Sequence, residues 1–289
     1  MLELMRRGVL DSISIVPNTG AFDECMKMLL DAIEELPFLP LMSVHLNFVE
    51  GIRLSPGKDK GRPIETGWGE LWLASYNPFK KKGVRNEIKK ELTAQVNKAW
   101  RAVNDCILKA REKGIPCGQK ELRIDSHQHT HHIPVVMEAL FESIEENGWN
   151  TEYIRNSKEP LLPFFSDRSL IKSYRAVNII KNLILNLYSG RLDRYNRRYN
   201  RRPMYLWGLV MSGRMDRKRT ERLLPAMYKK AKESGRDLEI LFHPGRMEKS
   251  EYNEEIDQKA ARSFYLSDDR NAEYNAALRM RELKISLEA

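Results

Sequence analysis

The chain has 289 residues, enough for one large α/β domain or two smaller ones with a sizeable core, so a stapled miniprotein is excluded. Hydrophobic residues make up 42% and charged residues 31%, with 16 Gly and 13 Pro, which excludes collagen-like, low-complexity and mostly disordered classes. The 49 Lys and Arg outweigh the 40 Asp and Glu by +9, and the stretch from Arg191 to Arg222, with eleven basic residues against Asp193, Asp216 and Glu221, carries +8 by itself.

No run of apolar residues is long enough to span a bilayer, and the opening MLELMRRGVL lacks the apolar core of a secretion signal, so a cytoplasmic location is expected. Cys25, Cys106 and Cys117 are too few and too scattered for a disulfide framework and are expected as free thiols. No repeat and no flexible linker divides the chain. One domain over residues 1–289 is expected, with a basic helical insertion at about 161–202.

In chain order, residues 12–16 read as a strand, 21–36 as an amphipathic helix and 41–48 as a second strand. A connection rich in Gly, Pro and Trp runs to about residue 82. A long helix over 84–113 follows, with Ile88, Leu92, Val96, Trp100, Val103 and Ile107 forming one apolar stripe. Residues 122–125 read as a short buried strand, 135–146 as a helix and 151–155 as a strand. Helices are then predicted over 169–187, 216–234 and 271–283, and strands over 204–210 and 238–242. Strands alternating with helices predict an α/β fold with a mostly parallel sheet, closed or nearly closed into a (β/α) barrel. In such folds the chemistry gathers at the carboxyl ends of the strands.

All six histidines fall at such ends: His45, the tract His127, His129, His131 and His132, and His243 in His243-Pro244-Gly245. Along an extended chain Asp125, His127, His129 and His131 share one parity and would face one side. Imidazoles with a carboxylate suit a divalent transition metal, and a catalytic site needs about three protein ligands plus an open position for water. The Pro-Gly turn after an apolar strand would expose His243 at a rim.

With Arg6-Arg7-Gly8-Val9, Val44-His45-Leu46-Asn47, Gly51, residues 87–95 (EIKKELTAQ), residues 124–131 (IDSHQHTH), Glu159-Pro160 and His243-Pro244-Gly245, the chain resembles the YdjC-like carbohydrate deacetylases. The resemblance implies a barrel-like deacetylase fold, a divalent metal ion (Mg2+ or Zn2+) and removal of acetyl from an N-acetylated amino sugar or oligosaccharide, a lipid-linked one among the candidates. By position, His45 and His127 look like the two histidine ligands, His243 like a catalytic acid or orienting group, and Asp125 like a water- or ligand-orienting carboxylate. The family pattern opens with a strand ending in Asn-Ala-Asp-Asp-Phe-Gly, whose aspartates supply a metal carboxylate and the base. No such segment occurs here, so that first strand is expected to be missing. A degenerate relative that binds metal or glycan without turnover is accordingly a second expectation, and another metal-dependent amidohydrolase or phosphoesterase barrel a third.

Trp68 and Trp72, in the connection after the second strand, could stack on sugar rings. Arg155, His129 and His131 are further candidate substrate contacts. Between residues 171 and 202, Ile179, Ile180, Leu183, Ile184 and Leu187 form an apolar stripe followed by RLDRYNRRYNRR. The plainer expectation buries that stripe against the barrel. The alternative lays residues 179–202 on an anionic membrane surface. No nucleic-acid module is recognisable, so no specific nucleic-acid partner is expected, whereas a homo-oligomer is.

Overall fold

The computed structural model describes residues 1–252 and 262–288, with side chains as far as residue 283. The chain divides into two compact units, Leu2–Arg155 and a second made of Asn156–Tyr252 with the C-terminal residues from 262 onward.

In the first unit the order is α1 (Leu2–Arg6), β1 (Ser12–Ile15), α2 (Phe22–Ala32), β2 (Leu41–Leu46), α3 (Trp68–Tyr76), α4 (Lys81–Glu112), β3 (Leu122–Ser126), α5 (Pro134–Glu146) and β4 (Thr151–Ile154). The four strands pair in sequence order and all are parallel. This is the parallel, barrel-like α/β class that the alternation of strands and helices requires. Val44, Leu46, Leu122 and Ile124, one face of the sheet, are fully or almost fully buried and alternate with Ser43, His45, Arg123 and Asp125 on the other. The stripe of α4 (Ile88, Leu92, Val96, Val103, Ile107) is buried, and α4 is tied to α5 by Lys81–Glu138, Arg85–Glu142 and Lys89–Glu146 pairs. Those pairs are partly exposed, so burial rather than charge holds the two helices together.

Helix α3 lies inside what the sequence predicts as an irregular connection. It buries only Leu71 and Ser75 while Trp72, Leu73 and Tyr76 face solvent, so its apolar residues show no helical period. Its start is fixed by Glu70, whose carboxylate accepts from the Gly67 N–H at 3.1 Å.

The second unit contains α6 (Ala176–Arg198), β5 (Met204–Trp207), α7 (Arg217–Glu233), β6 (Asp237–Ile240), α8 (Arg262–Tyr265) and α9 (Asp269–Glu288). β5 and β6 are parallel. Phe164, Trp207, Met215, Leu223 and Met227 form its core. The helix predicted over 169–187 begins later and runs further: 168–173 is a short 3-10 turn, and α6 continues through the basic run to Arg198. Its apolar stripe is only partly buried: Ile179 packs on that core and Ile184 is half-buried. Ile180, Leu183 and Leu187 are exposed, and Asn182, Ser189, Asp193 and Asn196 point inward with Leu185 and Leu192. The cause is a polar interior: Asn182 Nδ2 donates to Glu159 Oε2 at 2.9 Å, and Asp193 accepts from Asn156 Nδ2 at 2.6 Å and Arg236 Nη2 at 2.7 Å. Buried polar groups must be paired, so these contacts set which side of the helix faces in.

Glu159 is the keystone of this unit. Its Oε1 accepts from the Gly208 and Leu209 N–H groups at 2.7 and 3.0 Å, and its Oε2 from Val210 N–H at 2.9 Å, closing the loop after β5. Gly208 has φ of +138°, and a Cβ there would lie 2.6 Å from the Leu241 carbonyl oxygen. Among the described residues, no helix is long and apolar enough to cross a membrane.

Candidate active site

Parallel register assembles the site in the first unit. His45 on β2 and Asp125 on β3 are direct partners, and Asp125 Oδ1 accepts from His45 Nδ1 at 2.8 Å. Its Oδ2 accepts from Ser14 Oγ on β1 at 2.6 Å and pairs with the Arg155 guanidinium just past β4. Strands are about 4.8 Å apart, so a β1 side chain meets a β3 side chain only on a concave face. All four strands therefore contribute to one polar row at their carboxyl ends.

Asp125 is completely buried. Burial alone would raise its pKa, but the charge of Arg155, His45 and the Ser14 hydroxyl outweigh it and hold the carboxyl well below the usual carboxylate range. Burial likewise lowers the pKa of His45, against the pull of Asp125. A neutral His45 with its Nδ1 proton on Asp125 presents a bare Nε2 lone pair, the arrangement in which a carboxylate orients an imidazole ligand.

The second imidazole is His127, whose ring centre lies 5.8 Å from that of His45, edge to face. With metal–nitrogen bonds of about 2.1 Å, two imidazoles on one tetrahedral ion place their ring centres roughly 5.3 Å apart. The pair is within reach of a shared ion. Glu50 Oε1 stands 2.9 Å from His127 Nε2, yet that buried nitrogen has no hydrogen bond of acceptable direction. An orphaned ring nitrogen beside a carboxylate and a second imidazole is a donor set that fits a divalent cation. Among the described residues, no three His, Cys, Asp or Glu side chains already converge as a complete ligand set. The fit is therefore to two imidazoles, with further positions open.

Glu50 was not singled out from the sequence, although Asn47, Glu50 and Gly51 close the strand block that contains His45. Asn47 Oδ1 accepts from the Val49 and Glu50 N–H groups, both at 3.2 Å, turning the chain so that Glu50 comes back toward the strand ends. Gly51 has φ of +78° and packs so closely on Asn18 that a Cβ would lie 2.6 Å from its carbonyl oxygen. Helix α4 braces this loop: Gln95 bonds both the N–H and the carbonyl of Asn47, at 2.8 and 2.7 Å, and Glu91 accepts from Leu54 and Ser55 N–H. The sequence block of residues 87–95 thus acts through the loop and not on a ligand.

The histidine tract departs from the extended chain expected of it. After Ser126 the chain turns into a 3-10 segment (His127–His132) in which Gln128 and His129 have φ of +50° and +59°. Shared parity is lost, and the tract splits. His131 is wholly buried, with Nδ1 2.5 Å from Ser126 Oγ and Nε2 2.7 Å from the Arg155 carbonyl oxygen. Burial pushes its pKa down to about 4. With both ring nitrogens engaged it serves the fold, not a substrate. Arg155 is likewise engaged within the fold, 4% exposed and paired with Asp125. His129 is also buried. Trp72 is exposed at the surface of α3 with its ring centre 5.2 Å from that of Tyr76, while Trp68, at the start of that helix, is only half-buried.

His243 belongs to the second unit. Its N–H donates to Glu273 Oε2 at 2.5 Å, its carbonyl accepts from Arg270 at 3.1 Å, and its ring packs edge-on against Phe264. Gly245 carries φ of +81° in the Pro-Gly turn, and the imidazole remains about a third exposed. Glu273 is fully buried and also accepts from Met215 N–H at 3.1 Å, so α9 clamps the histidine's backbone.

Parallel strands whose carboxyl ends carry two imidazoles, one of them oriented by a buried aspartate, define an α/β protein of the barrel-like class with its polar site at the strand ends. A profile of YdjC-like proteins matches residues 117–287, more than half of the chain, and the protein belongs to the YdjC-like family, which is associated with carbohydrate deacetylation. The matched span includes Asp125, His127, Glu159 and His243, and His45 and Glu50 lie before it. No curated protein matches the chain significantly.

Proposed function

We propose that the protein is a metal-dependent hydrolase that removes acetyl from an N-acetylated amino sugar or oligosaccharide. The observation that carries this reading is the pairing of His45 and His127 at 5.8 Å with Asp125 behind His45. In it, His45 and His127 hold a divalent cation, Mg2+ or Zn2+, through their Nε2 atoms. Such an ion, when bound, supplies polarisation of the acetamide carbonyl and acidification of a water molecule.

The chain's own groups do the rest. Asp125 keeps the His45 proton on Nδ1 and the ring aimed. Glu50, beside His127 Nε2, is the nearby carboxylate to take a proton from the attacking water. The family resemblance gives the role of general acid to a histidine in the sequence position of His243, and an imidazole can donate as well as accept. Trp72 offers an exposed aromatic face to a sugar ring.

A second reading, binding of metal or glycan without turnover, draws support from Asp125. Its carboxylate is fully engaged by His45, Ser14 and Arg155 and cannot act as a base. Acetate release from N-acetylglucosamine oligomers in the presence of Zn2+ or Mg2+ separates the two. Release that is abolished by His127→Ala supports the hydrolase, whereas metal binding with no acetate released supports the second reading. Phosphate release from a generic ester in place of acetate would move the protein to another reaction class.

A further inference from the structure

We propose that the outward face of α6 lies on an anionic lipid surface, an inference independent of the reaction above. In its first three turns this helix turns Val177, Ile180, Leu183 and Leu187 to solvent, exposed by 66, 57, 53 and 78%. At 100° per residue these positions fall on one side of the helix. The same side continues into Arg191, Arg194 and Arg198, with Arg197 at its margin, and all four are exposed. The inward side carries Asn182, Ser189, Asp193 and Asn196, engaged within the second unit. The helix is therefore ordered from within by polar contacts together with Leu185 and Leu192, and leaves its outward apolar residues unspent.

Exposed apolar patches of this kind mark interaction surfaces. The arginines identify the partner. Arg194, Arg197 and Arg198 have no carboxylate partner among the described residues, and the one acid of the helix, Asp193, is buried against Arg236. A surface that takes up apolar side chains at one end and guanidinium groups at the other is a bilayer interface with anionic headgroups. A second copy fits less well. Parallel pairing of two such helices sets arginine on arginine, and antiparallel pairing lays guanidinium groups over the partner's apolar turns. Nucleic acid would use the arginines but leave the apolar turns in water. No described helix can cross a membrane, so the geometry is that of a helix lying in the interface.

The test is co-sedimentation of the full chain with vesicles of phosphatidylcholine alone and of phosphatidylcholine mixed equally with phosphatidylglycerol, at low and moderate salt. The wild type is expected to bind the anionic vesicles, more weakly as salt rises, and to ignore the neutral ones. The combined variant Arg194→Gln, Arg197→Gln, Arg198→Gln changes only outward side chains and should lose about fivefold in affinity per arginine. Ile180→Ser with Leu187→Ser should lose the binding that survives moderate salt. Thermal unfolding of both variants should match the wild type. Failure of the wild type to bind anionic vesicles at low salt overturns the proposal, as does equal binding to both vesicle types. Dimers dispersed by Leu187→Ser, or retention of a DNA or RNA duplex, each without vesicle binding, would reassign the face to a second copy or to nucleic acid.

Discussion

Asp125 and His45 are register partners on adjacent parallel strands, and the 2.8 Å hydrogen bond between them decides which imidazole nitrogen is left bare. Replacing the carboxylate by an amide tests that relation. Asp125→Asn leaves Arg155 buried without its counter-charge, which should cost about 3–5 kcal/mol of stability in urea unfolding. It also loosens the His45 tautomer, so affinity for Zn2+ measured by calorimetry should fall about 10- to 100-fold. Adding Arg155→Met should recover part of the stability and none of the affinity. Unchanged Zn2+ affinity in the single variant would show that Asp125 does not orient a ligand.

Metal binding is open to a direct thermodynamic check. A cation that binds the folded protein and not the unfolded chain stabilises it by about 2.7 kcal/mol at a concentration a hundred times its Kd. Zn2+ or Mg2+ should therefore raise the Tm of the wild type. His45→Ala and His127→Ala should each abolish the rise, while Trp72→Ala, on the surface of α3, keeps it. A rise that survives both histidine variants would place the ion elsewhere.

The loop that carries Glu50 depends on two unforgiving positions. At Gly51 any side chain meets Asn18 and the left-handed backbone costs about 1–2 kcal/mol besides. Gly51→Ala should destabilise the protein by more than that and slow acetate release by displacing Glu50. Glu91→Gln keeps the shape of its neighbour helix but offers one acceptor oxygen where two receive N–H groups of Leu54, Ser55 and Gln95. About 1–3 kcal/mol is expected to be lost. If either variant unfolds like the wild type in urea, the loop is not braced in this way.

The strand ends were legible in the sequence because Val44 and Leu46, and Leu122 and Ile124, alternate with polar residues as a one-face apolar pattern does, and the chemistry-bearing His45 and Asp125 occupy the alternate positions. Glu50 was not legible. What brings it back to His127 is an Asn47 side-chain turn and a positive φ at Gly51, neither of which leaves a periodic signal. The histidine tract misled for a related reason: alternation holds only while a chain stays extended, and the Ser126 hydroxyl, accepting from the His131 N–H at 2.9 Å, bends it at once. Helix α6 misled in the opposite sense. An apolar stripe normally faces in, but here the asparagines and Asp193 satisfy buried partners and turn most of the stripe outward.

Glu159 should make stability depend on pH with a definite sign. Burial raises its pKa to about 7, overcoming the Gly208, Leu209 and Val210 N–H groups and the Asn182 amide, all of which favour the ionised form. In an unfolded chain a glutamate titrates near 4.3. Between about pH 4 and pH 7 the folded protein therefore holds a proton that the unfolded chain has released, so this group's contribution to stability is greatest at the acidic end and declines as pH rises to about 7. Glu159→Gln cannot titrate, and its amide N–H faces other donors, so it should be less stable than the wild type throughout. The gap in Tm should be wider near pH 5 than near pH 7.5. A gap that widens toward pH 7.5 would mean that the surrounding N–H donors dominate over burial and that the carboxylate is ionised in the folded protein across this range.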